Sequence, residues 1–225
     1  MLRRLLLSMM LIAVTPAMAL DLSAIKNTDA VGALRTALTQ GSTKAVATLG
    51  TENGFLGNPE VKIPLPPNLR KAEKTLRKLG MGAQADELIT AMNRAAEAAV
   101  PEAKTLLVDA VKSMTVQDAK GILNGGDDSA TQYFRAKTSD ALFKKFRPTV
   151  TQATSQVGVA TLYNNYAGKA AKFGLIGSQE ANLDDYVTNQ ALEGLYKMIA
   201  AEEKAIREDP LGQTSKILQR VFGAK

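Results

Sequence analysis

Apolar residues recur at intervals of three and four along most of this 225-residue chain, the spacing an α-helix needs to bury one face. The strong helix formers Ala, Leu, Lys, Glu and Gln dominate. One long stretch breaks the pattern. Gly50 to Pro67 holds Gly54, Gly57, Pro59, Pro64, Pro66 and Pro67, and each proline forbids helix locally. It reads as an extended segment laid over the helices, with at most a short strand where Val61, Lys62 and Ile63 alternate.

The spacing predicts a first helix from about Asp29 to Leu49, with Val31, Leu34, Leu38 and Val46 inward. A second runs from Asn68 to Leu79 and is ended by Gly80 and Gly82. A third covers Asp86 to Val100, and Pro101 suits the first turn of a fourth, to Met114. Thr115 and Asp118 form a capping-box-like start for a short helix that stops at Asn124-Gly125-Gly126. Asp127 or Asp128 is placed to cap the next, which runs to about Phe146, with Pro148 bending or restarting it. Helix continues from Thr149 to Phe173. Asn182 or Asp184 caps a long helix to about Glu208, ended by Pro210, and Thr214 opens a short last helix to Phe222. The expectation is an all-α, single-domain bundle of about eight to ten helices with one extended Pro-rich segment.

The first nineteen residues carry an address. Arg3 and Arg4 precede a ten-residue apolar run, Leu5 to Val14. Pro16 then breaks it, and Ala17-Met18-Ala19 is a small-x-small cleavage site. This is the layout of a cleavable secretory leader, too short to stay as a membrane span. It predicts removal of residues 1–19, a mature start at Leu20 and a periplasmic location. The remaining 206 residues suffice for one domain with a core that needs no staples. That agrees with a cysteine count of zero. No later apolar run approaches eighteen residues, so no transmembrane segment is expected.

Composition excludes several chemistries. There is no histidine and no cysteine, which removes Ser-His-Asp and Cys-His catalysis and zinc or iron sites built on those ligands. No tryptophan and only six Phe and five Tyr lower the case for a carbohydrate groove. Loss of Arg3 and Arg4 with the leader leaves 26 basic against 22 acidic residues, too mild an excess to argue for nucleic acid. No cofactor motif is present.

Four strings carry chemistry to be weighed. On the second helix, Arg70, Lys71, Lys74, Arg77 and Lys78 fall within an arc of about 120°, opposite Leu69, Ala72, Leu76 and Leu79. This is either a docking face for anionic lipid, an envelope component or an acidic partner, or a solvated face, and the solvated face is preferred. On the long C-terminal helix, Glu203 lies within the apolar stripe of Leu192, Tyr196, Ile199 and Ile206, with Arg207 one turn later at its edge. Upstream, Arg135 sits at the centre of a face shared by Thr131, Thr138, Leu142 and Phe146. Ionised groups on inward stripes are costly unless paired. Arg135, Glu203 and Arg207 are therefore expected to form one buried polar network, either a pocket with tuned acidities or an ion pair fixing helix register. Glu97, on a polar face with Asn93 and Asp86 and beside Arg94, is a further candidate for it, although a solvated face is preferred there.

If the protein is an enzyme, Glu203 and Glu97 are its first candidate catalytic residues, as paired carboxylates in a hydrolase. Asn124-Gly125-Gly126-Asp127-Asp128 lacks the spacing of a calcium loop and reads as a helix stop followed by a cap, so no metal site is assigned. Ser23-Ala24-Ile25-Lys26 matches S-x-x-K by chance, with no companion motif.

The strings Ile63-Pro64-Leu65-Pro66, Asn93-Arg94-Ala95-Ala96-Glu97, Gly125 to Thr131 with Tyr133-Phe134-Arg135, Phe146-Arg147-Pro148, and Ala201 to Arg207 with Asp209-Pro210 resemble a bacterial family, the domain of unknown function 4197. The likeness runs in order over essentially the whole mature chain. It implies a helical, secreted or periplasmic protein of Gram-negative type, and it brings no activity and no catalytic residues. The expectation is a non-enzymatic binding or structural role in the envelope. A carboxylate hydrolase and a peripheral lipid-binding module remain the alternatives.

Overall fold

The computed structural model describes residues 27–78, 80, 82–156, 158, 160–161, 163–164 and 182–208, the side chains of residues 27–29, 72, 74 and 76 excepted. The expected leader, the Ser23–Lys26 string, most of the helix expected between 157 and Phe173, and the Thr214–Phe222 helix lie outside the described residues.

The described chain is all-α. Its helices are α1 (Asn27–Leu49), α2 (Pro67–Lys78), α3 (Gly82–Ala99), α4 (Ala103–Lys112), α5 (Val116–Asn124), α6 (Ser129–Ser155) and α7 (Leu183–Glu208). A single 3-10 turn, Val100–Glu102, joins α3 to α4 without a break. With that turn α3 and α4 form one continuous helical stretch, so the elements named here make six helical stretches, fewer than the eight to ten expected. Pro101 sits in this turn rather than in a new helix.

Local chemistry sets the helix ends. Thr115 and Asp118 make a reciprocal capping box: Thr115 Oγ1 accepts from the Asp118 N–H at 3.1 Å, and Asp118 Oδ2 accepts from the Thr115 N–H at 2.9 Å. Asn182 caps α7, accepting from the N–H groups of Asp184 and Asp185. Asp184 is spent elsewhere, accepting from Thr151 Oγ1 at 3.0 Å and Thr154 Oγ1 at 2.6 Å on α6. Gly80, at φ 81°, turns the chain between α2 and α3. Gly82 opens α3 instead of closing α2. Helix α6 continues through Pro148 to Ser155 rather than restarting there. Proline forfeits one intrahelical bond, and the Val150 and Thr154 side chains beyond it are buried in the shared core.

Helices α6 and α7 make the most extensive pairing. Helix α3 packs on both, α1 lies against α7, α4 and α5, and α2 packs chiefly on α3. Leu34, Phe55, Met92, Phe134, Phe146 and Tyr196 are among the largest fully buried side chains of one continuous core.

No strand forms in the 50–66 segment. Instead of running extended, most of residues 50–61 form turns closed by backbone bonds, such as Gly57 N–H to the Asn53 carbonyl at 3.1 Å, and side chains tie down the backbone further. The Asn93 amide accepts from the Ile63 N–H at 2.8 Å and donates to the Ile63 carbonyl at 2.9 Å, replacing a neighbouring strand. Tyr186 Oη donates to the Pro64 carbonyl, and Lys197 Nζ to that of Glu60. Phe55 reaches the core because Gly194 of α7 lacks a side chain: a Cβ there would stand 2.6 Å from the Phe55 ring.

Candidate functional site

The charged stripe of α7 meets the start of α6. An α-helix begins with N–H groups that have no partner inside the helix. At α6, Asp128 occupies the cap position, yet its side chain makes no cap bond and accepts from Gln132 instead. Neither Asp127 nor Asp128 caps this helix. The acceptor comes from α7. Glu203 Oε1 takes the Ala130 N–H and Oε2 takes the Thr131 N–H, each at 2.9 Å, and Oε2 also accepts from Thr131 Oγ1. The carboxylate lies at the positive end of the α6 dipole, where negative charge is favoured.

Arg207 closes the arrangement. Its Nη2 donates to Glu203 Oε1 at 2.8 Å, to Ser129 Oγ at 2.9 Å and to the Ile122 carbonyl at the end of α5 at 3.0 Å. The side chains of Glu203 and Arg207 are 5% and 8% exposed, so the pair is buried and bridges three helices. The void beside it, walled by Leu34, Leu38 and Ile206 among others, holds about 10 Å³, room for at most one water.

Arg135 does not belong to this network. It makes a two-pronged ion pair with Glu193 of α7, with one bond of 2.9 Å from Nη2. Its guanidinium also lies 4.6 Å from the centre of the Tyr196 ring. The hydrogen bonds to Glu193 hold Arg135 above its ordinary pKa. Two turns of helix separate Arg135 from the start of α6, so it faces an open groove of about 400 Å³, shared with Lys62, Gln132, Gln190, Glu193 and Lys197. The acids of that groove are engaged: Glu193 with Arg135, Glu60 with Lys197 at 2.7 Å, and Asp128 with Gln132.

Glu97 serves a separate network. Its Oε1 accepts from the N–H groups of Phe55 and Leu56, each at 3.0 Å, and its Oε2 pairs with Arg94 at 2.6 Å. Glu97 and Asn93 are buried, so this is not a solvated face, whereas Asp86 is exposed. Burial is the largest influence on Glu97 and opposes its ionisation. The Leu56 N–H, Arg94 and the Phe55 N–H together outweigh it and hold the acid below its usual value.

On α2, Arg70, Lys71, Arg77 and Lys78 are exposed, and the side chain of Lys74 lies outside the described residues. Leu69 packs against the core; Ala72, Leu76 and Leu79, expected beside it, also lie outside the described side chains. Arg77 is tied to Glu73 and to both oxygens of Asp86. Among the described residues no group of three potential metal-ligating side chains gathers, and no helix is long and apolar enough to cross a membrane.

Sequence reasoning missed three partners: Glu193, which takes Arg135; the Asp184 clasp on Thr151 and Thr154; and Ser129 beneath Arg207. Asp184 carried a signal, since Asn182 already supplies the cap and leaves a second acid in the first turn to spare. Glu193 carried none, because its partner lies 58 residues away.

The two buried carboxylates therefore stand in separate networks, each surrounded by donors, and no hydrogen-bond partner is common to both. No curated protein and no solved structure is detectably similar to this chain. One family profile matches residues 24–223, nearly the whole sequence, and the chain belongs to that family, described as protein of unknown function (DUF4197).

Proposed function

We propose that this is an exported envelope protein with a non-enzymatic, binding or structural role in the periplasm. The observation that carries the non-enzymatic reading is that both oxygens of Glu97 and of Glu203 are bonded within the fold. A general acid or base needs a lone pair or proton free toward its substrate, and a glycosidase-type pair must flank one cleft. Here five hydrogen bonds converge on Glu203 and three on Glu97, and every one of them joins separate segments or braces a bond that does. The leader-like residues 1–19 support the export half of the reading.

Fractionation of expressing cells, with N-terminal sequencing, tests export. The expected result is periplasmic protein beginning at Leu20. Soluble cytoplasmic protein that keeps Met1 would overturn it. The non-enzymatic half is tested by the sign of the stability change when either buried carboxylate is replaced by its amide: both replacements should weaken the fold, and a gain in stability would favour a catalytic site.

A further inference from the structure

Helix α2 carries charge that the fold does not use. Between Pro67 and Lys78 stand five cations and one acid, Glu73. Glu73 and Asp86 are both bonded to Arg77, so neither is left for the others. Arg70, Lys71 and Lys78 are exposed and make no ion pair among the described residues. With Lys74 placed by helical spacing, these four positions span an arc of about 100° and run roughly 12 Å along the helix.

Lys78, in the last turn, suits the negative end of the helix, but the placement of Arg70 and Lys71 works against it. The first turn of α2 holds no acid, and Arg70 and Lys71 follow directly on its positive end, where cations are disfavoured. A helix shaped for folding alone carries acids there. Local charge that contradicts the fold is the pattern expected of a surface kept for binding. The form of the surface narrows the ligand. Cations along the outside of a helix make a convex ridge and do not converge on one point, so they suit a flat array of anions better than a single small one. Leu69 faces the core, which leaves the outward side to charge alone.

We propose that this ridge docks the protein reversibly on an anionic phospholipid bilayer. The contact is electrostatic adhesion without insertion, and so it is sensitive to salt. Each cation brought to such a surface is worth about a fivefold gain in partitioning. The inference stands on α2 by itself and does not depend on how Glu97 and Glu203 are used.

Co-sedimentation of the purified protein with vesicles of phosphatidylcholine, with and without 30 mol% phosphatidylglycerol, tests it. Two triple variants are compared: Arg70→Gln/Lys71→Gln/Lys78→Gln on the ridge, and Lys104→Gln/Lys120→Gln/Lys144→Gln, which removes equal charge from exposed sites elsewhere. The parent should bind only the anionic vesicles and lose that binding at high salt. The ridge variant should lose at least about tenfold in partitioning while unfolding at the parent's temperature, and the control variant should lose less than about threefold. Inorganic phosphate should compete no better than chloride at equal ionic strength. Absence of binding by the parent, equal losses in the two variants, or saturable displacement by phosphate would each overturn the proposal, the last in favour of a small-anion site. Ridge-dependent self-association in place of vesicle binding would overturn it in favour of a second copy as partner.

Discussion

A carboxylate taken out of water destabilises the fold unless its lone pairs find donors, and Glu97 is held by three: the N–H groups of Phe55 and Leu56, and Arg94. Their combined effect exceeds that of burial, so the folded-state pKa lies below the ordinary 4.5. The unfolded chain then takes up the proton first as the pH falls. The stability this group contributes is fully present above about pH 4.5 and is lost as the pH drops through the lower folded value. Glu97→Gln removes the titration. Denaturant unfolding of parent and variant should show the parent clearly more stable at pH 7, with the gap narrowing toward pH 3. Asp86 and Asp118, also held low by hydrogen bonds from Arg77 and Thr115, weaken both proteins in acid and cancel from the difference. A gap that does not change with pH would contradict this role for Glu97.

Among elements, the 50–66 segment depends most on its neighbours, since Asn93, Glu97, Tyr186 and Lys197 all bond to its backbone. It also makes a close contact with α7, Phe55 over Gly194. A methyl at Gly194 would meet a wholly buried ring at 2.6 Å, so Gly194→Ala should cost about 1–3 kcal/mol through overpacking. Gly32, exposed on α1 with open space where a Cβ would stand, provides the contrast. Gly32→Ala should gain about 0.5–1 kcal/mol from helix propensity. Thermal unfolding reads both, and two changes of the same sign would contradict the packing described here. At this scale the sequence is legible where partners are close. The α5 capping box joins residues three apart and can be read from a short window. The α6 cap joins residues 73 apart, and nothing local distinguishes it from an unfilled cap at Asp128. The short strand that the sequence allowed near Ile63 does not form for a related reason: alternation signals an extended chain, but not whether a strand or an Asn93 amide will pair with it.

Over the whole molecule, α6 and α7 form the central pair, and each of the charges that sequence patterning placed on their inner faces finds a partner across the interface between elements. Periodicity made the helices and their stripes legible. It also singled out Glu203, because a charge inside the stripe of Tyr196, Ile199 and Ile206 is conspicuous whatever it binds. It could not separate Arg135 from Arg207 as its partner. One lies on the same helix, four residues on, while the other meets Glu193 only after two helices have packed. The claim that this packing depends on Glu203 is open to one direct measurement: chemical denaturation of the parent beside Glu203→Gln and Asp128→Ala. Orphaning a buried ion pair typically costs about 3–5 kcal/mol, and Glu203→Gln should fall in that range. Asp128→Ala should stay within about 0.5 kcal/mol, as for an exposed side chain with no cap to lose. A Glu203→Gln protein as stable as the parent, or more so, would contradict the account and return Glu203 to the candidates for chemistry.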